Sequence, residues 1–125
     1  MELAIYIKNL LYNHDSLIIP GLGLLQTVYK PAEINSAQHA INPPSKTLLF
    51  DKNITSSDGL LEKFISAQKK ITKKSAENLI SDQINELHQK LDSEETIFWE
   101  GIGYFSKENG IIRFEPEQEA NFLTD

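Results

Sequence analysis

His14, Asp15 and Ser16 are the residue types of a nucleophilic triad, and they stand side by side. Adjacency is the wrong arrangement for that chemistry, because triad members converge from separate elements. His39 and His88 are the other two histidines, and no pair of the three has the short spacing of metal ligands. The chain has no cysteine, which removes thiolate catalysis, disulfides and Cys-based zinc sites together. No enzyme activity, cofactor or metal is therefore expected. Two patterns with chemical meaning remain. Lys63, Lys69, Lys70, Lys73 and Lys74 form a candidate anion or nucleic-acid patch, and its last two members precede a helix start, where an anion is favoured. Gly21-Leu22-Gly23 and Gly101-Ile102-Gly103 have the glycine spacing of a phosphate loop, but a third glycine and a following helix are missing. Gly21, Gly23, Gly101 and Gly103 are read as structural bends.

The elements that position these residues follow from hydrophobic spacing. Leu3, Ile7, Leu10 and Leu11 share one helical face over residues 3–12. Leu17 to Ile19 reads as a strand, Pro20 ends it, the first glycine pair bends the chain, and Leu24 to Tyr29 returns. Residues 30–46 are polar and punctuated by three prolines, too long for a tight turn and too poor in apolar residues for core. They read as an arm, whose far limb returns as a strand through Thr47-Leu48-Leu49-Phe50. Ser57 or Asp58 then caps a helix that turns Leu60, Leu61, Phe64 and Ile65 inward. Thr72 caps a long amphipathic helix carrying Ala76, Leu79, Ile80, Gln83, Ile84, Leu87 and Leu91 on one face. Ile97 to Phe105 is a second strand-bend-strand, and Asn109-Gly110 closes a tight hairpin with the strand ending at Phe114. Phe98 and Trp99 alternate, so one of them faces outward and marks a contact surface if exposed.

The two strand-bend-strand units are a repeat. Leu17 to Leu25 aligns with Ile97 to Phe105 at a constant offset of eighty residues, with glycines at matching places. The following strands, ending in Phe50 and Phe114, are offset by sixty-four, because the second copy replaces the long arm with the tight turn. Two related modules that bury their apolar faces together are expected. Charge is split between them. Residues 1–74 hold nine lysines against six acids, whereas residues 75–125 hold three basic residues against twelve acids, within a net charge of −6. A protein held on nucleic acid by counterion release needs a clear basic surface, and only a local one exists here. The absence of cysteine makes the cytoplasm the default, no signal peptide is read at the start, and no run approaches the roughly 18 apolar residues that span a bilayer. The ending at Asn121 to Asp125, still in apolar material, reads as that of a piece of a longer protein.

In order along the chain, Thr72-Lys73-Lys74-Ser75-Ala76-Glu77, Gly101-Ile102-Gly103-Tyr104-Phe105 and Phe114-Glu115-Pro116 resemble the bacterial HU/IHF superfamily. In the first copy, Gly21-Leu22-Gly23 and Pro43-Pro44-Ser45-Lys46 leading to Phe50 resemble the same bend and returning arm. The whole chain is similar to the divergent tandem HU-like pairs at the amino end of some bacterial envelope proteins that continue through a membrane segment to a peptidoglycan-binding SPOR domain. The resemblance implies an α+β fold of two HU-like halves forming an intrachain pseudo-dimer. The first half would span residues 1–65, with a long arm at 26–46. The second would span 66–125, with a short hairpin in place of the arm.

HU and IHF proteins grip DNA with arms rich in arginine and lysine, inserting a proline between base steps. From Gln26 to Asn42 this chain has Lys30 as its only formal cation, opposed by Glu33, with no arginine and no Asn-Pro-x-Thr-Gly tip. The leading expectation is a non-enzymatic protein-interaction module. Its candidate contact arm comprises Lys30, Pro31, Ile34, His39, Ile41, Pro43, Pro44 and Lys46. By resemblance it would be the cytoplasmic end of an envelope-linked protein, tethered to the inner membrane through a part beyond these residues and without membrane contact of its own. The alternative is an HU/IHF-like DNA-binding protein with reduced or no bending ability. The partner's identity and the oligomeric state stay open.

Overall fold

The computed structural model describes residues 2–30, 33–35, 40–42 and 45–117. Helix α1 (Glu2–Asn13) leads into strands β1 (Ser16–Ile19) and β2 (Gly23–Lys30). The short strands β3 (Glu33–Asn35) and β4 (Ala40–Asn42) come next, followed by β5 (Ser45–Asp51). Helices α2 (Leu60–Lys69) and α3 (Lys73–Asp92) then precede β6 (Ile97–Trp99), β7 (Gly103–Glu108) and β8 (Ile111–Pro116). Two antiparallel three-stranded sheets result, in the orders β1-β2-β5 and β6-β7-β8, and β3 and β4 form a two-stranded sheet of their own. The α+β class and the two HU-like halves expected from the sequence are present.

The helices form where the pattern places them. Leu3, Ala4, Ile7, Leu10 and Leu11 of α1 are buried, as are Ala76, Ile80, Ile84, Leu87 and Leu91 of α3. Thr72 caps α3, its hydroxyl oxygen accepting the Ser75 N–H at 3.1 Å. The start of α2 departs from expectation. Its N-cap is Gly59, in the left-handed region at φ 82°. Ser57 and Asp58 serve from outside instead, accepting the N–H groups of Gly59 at 2.9 Å and Leu60 at 3.0 Å. The chain enters α2 through a left-handed turn, a conformation glycine adopts without steric cost, so the polar oxygens act before the cap position. α2 runs through position 65, and the connection lying between elements is residues 52–59. Glu2 of α1 is tied to Lys69 at the end of α2. The Lys69 ammonium and then the Tyr6 hydroxyl hold the Glu2 carboxyl below its ordinary range.

Burial repeats with the sequence. Leu17, Ile19, Leu22 and Leu25 are buried along the first strand-bend-strand unit, and Trp99, Ile102 and Phe105 along the second. Each bend closes with the same hydrogen bond, Leu22 N–H to the Ile19 carbonyl at 3.0 Å and Ile102 N–H to the Trp99 carbonyl at 2.9 Å. Gly21 and Gly101 take φ values of 78° and 79°, which requires glycine at both places.

The equivalent parts also reach across to each other. The Gly21 bend rests on α3, where His88 donates its Nε2–H to the Gly21 carbonyl at 2.7 Å. The Gly101 bend rests on α1, with the Lys8 side chain beneath it. Lys8 and His88 are themselves eighty residues apart. Two matched pairs touch directly: the Leu3 N–H donates to Gln83 Oε1 at 3.1 Å, and the Phe50 and Phe114 rings lie 5.9 Å apart. Phe105 completes this aromatic centre, 5.4 Å from Phe50, 4.9 Å from Phe114 and 4.9 Å from Trp99. The buried side chains form one core drawn from all three helices and both sheets.

Candidate functional site

The arm is a β-ribbon. Its pairing starts at Leu24↔Asp51, runs to Lys30↔Ser45, and resumes in the same register at Glu33↔Asn42 and Asn35↔Ala40. Lys30, Ile34 and Ile41 lie on its strands, while Pro31, His39, Pro43 and Pro44 lie outside the described residues. Lys46 stands at its base and pairs with Asp15 at 3.3 Å. The Asp15 carbonyl also accepts the Thr27 N–H at 2.7 Å, which ties the end of α1 to the start of the ribbon. In the second half the equivalent strands stop at Glu108↔Ile111, turned by Asn109 and Gly110 at φ 53° and 77°.

The lysines divide. Lys63 and Lys73 line one cleft of about 450 Å³ together with Asp58, Gly59, Leu60 and Ser66. Lys69 is held by Glu2 instead. Lys70 caps the end of α2 in the left-handed region at φ 55°, and Lys74 is exposed on the first turn of α3. Two members of the predicted patch are thus brought together, and a third is spent on an ion pair. Carboxylates answer cations elsewhere too: Lys107 binds Asp92, whose carboxyl is lowered by that hydrogen bond.

Phe98 and Trp99 part company as their alternation requires. Trp99 is 1% exposed, whereas Phe98 is 46% exposed and pairs across the strands with Tyr104, their rings 4.8 Å apart. Ile5, 63% exposed, and Tyr12 border the same side through a groove of about 640 Å³ shared with Phe98 and Glu100. A second cavity, of about 370 Å³, takes the equivalent place between the Gly21 bend and α3. The sequence reading did not single out Glu62, which is buried beside that cavity and accepts the Ser57 hydroxyl proton. Its one available signal is position: an acid at the third residue of a helix commonly reaches back to the residues before the cap.

Among the described residues no group of three or more His, Cys, Asp or Glu side chains is placed to hold a metal ion, and no helix is long and apolar enough to cross a membrane. The glycine bends hold no loop-to-helix junction of the phosphate-binding kind, since each leads into a strand. No curated protein and no solved structure matches the chain. Two family models do. One, described as CCDC81-like prokaryotic HU domain 1, matches residues 1–58, and the other, CCDC81-like prokaryotic HU domain 2, matches residues 59–125. The repeated bends, the paired sheets and these adjoining matches agree, and the chain belongs to the CCDC81-like prokaryotic HU domains as a tandem pair.

Proposed function

We propose that this chain is a non-enzymatic protein-interaction module built as an intrachain pseudo-dimer of HU-like halves. The observation that carries this reading is the ribbon between β2 and β5. It keeps the form of a grasping arm, yet Lys30 is its only formal cation from Gln26 to Asn42, and Lys46 at its base already has Asp15 as partner. A minor-groove arm works by placing cations among phosphates, and one lysine opposed by a glutamate does not supply them. A ribbon instead offers backbone N–H and C=O groups along its edges, which suit strand addition by a partner protein. The exposed Phe98–Tyr104 pair gives a further apolar contact on the second sheet. On this proposal the chain would work in the cytoplasm, as the N-terminal part of an envelope-linked bacterial protein of the SPOR type.

Gel-shift titration with duplex DNA at low salt tests it. The expected outcome is no sub-micromolar complex, with weak binding at most that is abolished by modest salt. Sub-micromolar binding with a steep salt slope would instead support the alternative, a DNA-binding protein using Lys63 and Lys73 as phosphate contacts.

A further inference from the structure

The cavity of about 370 Å³ has a chemical character that its equivalent in the other half lacks. Ser57, Glu62, Glu77 and His88 contribute to its polar wall, and Ile80 and Ile84 supply apolar surface. Among the described residues no lysine or arginine lines it. Glu62 is 5% exposed, and only one of its oxygens is satisfied. Oε2 accepts the Ser57 hydroxyl proton, while the Ser57 oxygen itself accepts the Gly59 N–H at 2.9 Å, so that hydroxyl has no proton left to give. Oε1 is buried with no hydrogen-bond partner among the described residues. His88 does not answer it, since its Nε2–H is spent on the Gly21 carbonyl.

A buried carboxylate oxygen without a donor is costly, and the cost falls when a charged donor is brought to it. Glu77 adds a second carboxylate to the wall, which favours a full positive charge over a neutral donor. Ile80 and Ile84 favour an alkyl stem behind that charge. The other groove offers an internal comparison. There Lys8 occupies the place of His88, Glu100 that of Pro20, and the first half has no helix equivalent to α2 to present a buried acid. The demand for a cation belongs to one side only.

We propose that the cavity between α2, α3 and the Gly21 bend binds an alkylammonium or guanidinium group, ion-paired to Glu62 with its stem against Ile80 and Ile84. This goes beyond the interaction reading, because a small free amine fills the site by the same chemistry as a lysine or arginine side chain of a partner.

The test is an NMR titration of the ¹⁵N-labelled full chain with three probes: N-acetyl-lysine methylamide, agmatine, and uncharged N-acetyl-norleucine methylamide. Saturable shifts are expected at Gly21, Ser57, Ile84 and His88 with the two cations and not with norleucine. Affinity should fall roughly tenfold or more in Glu62→Gln and less in Glu77→Gln, as loss of a desolvated charge partner implies. If Glu62→Gln does not keep a dispersed spectrum, the exposed-side variant Glu77→Gln carries the comparison alone. Tighter binding of N-acetyl-lysine methylamide, which carries the peptide groups, than of agmatine assigns the cation to a partner chain, and equal or weaker binding assigns it to a free amine. Absence of shifts with both cations, equal shifts with norleucine, or unchanged affinity in the folded carboxamide variants would overturn the assignment.

Discussion

Alanine at Gly23 or at Gly103 is expected to destabilise the chain by about 3 kcal/mol, nearly equally in the two places. A Cβ at Gly23 would stand 2.6 Å from the Phe50 ring and 2.7 Å from the Asp51 carbonyl oxygen. One at Gly103 would stand 2.8 Å from the Phe114 ring and overlap the Glu115 carbonyl. A flexible side chain would swing aside, but these carbonyls belong to paired strands and the rings to the aromatic centre. Relief therefore means separating a strand from its neighbour. Gly110→Ala is the control, because nothing lies within 4 Å of the added carbon. Only the left-handed backbone at φ 77° opposes it, at a cost of about 1 kcal/mol. Urea unfolding of the three variants should rank Gly110→Ala well above the other two. Equal losses in all three would mean that the tight places beside Phe50 and Phe114 are not as described.

Phe105→Ala is expected to cost about 3–5 kcal/mol, a large part of the roughly 5–15 kcal/mol that holds a domain of this size folded. Its ring is fully buried and meets Phe50, Phe114 and Trp99. The informative quantity is the coupling to Phe50, since the two rings come from different halves. A double-mutant cycle with Phe50→Ala should return a favourable interaction of about 0.5–1.5 kcal/mol, the usual worth of an edge-to-face pair. Additive losses in chemical denaturation would show the two sheets to be energetically independent.

The repeat was legible because it rests on local rules. Glycines that need positive φ, strands of alternating residues and a hydroxyl-capped helix each leave their mark within a few residues. Gly21 and Gly101, Thr72 and the Asn109-Gly110 turn were readable for that reason. The crossing of the halves was not. Periodicity says which face of α1 or α3 is apolar, but it is silent on which bend that face receives, and it gave no hint that Lys8 would lie under Gly101 and His88 under Gly21. Glu62 was hidden by the same limit. Between Leu61 and Lys63 it reads as a solvated acid, and it becomes buried only because the 52–59 connection brings Ser57 to its carboxylate. The arm fell between these cases: its length and polarity were plain in the sequence, whereas the register its described strands share emerges only from pairing residues up to twenty-seven positions apart.

The two halves share one core. Residues 1–58 and 59–125, expressed separately and then mixed, test this most directly when followed by ¹⁵N–¹H correlation spectra. Each alone should show the narrow dispersion of an unfolded chain, and the mixture should recover the spectrum of the intact protein. Two well-dispersed spectra that stay unchanged on mixing would contradict it.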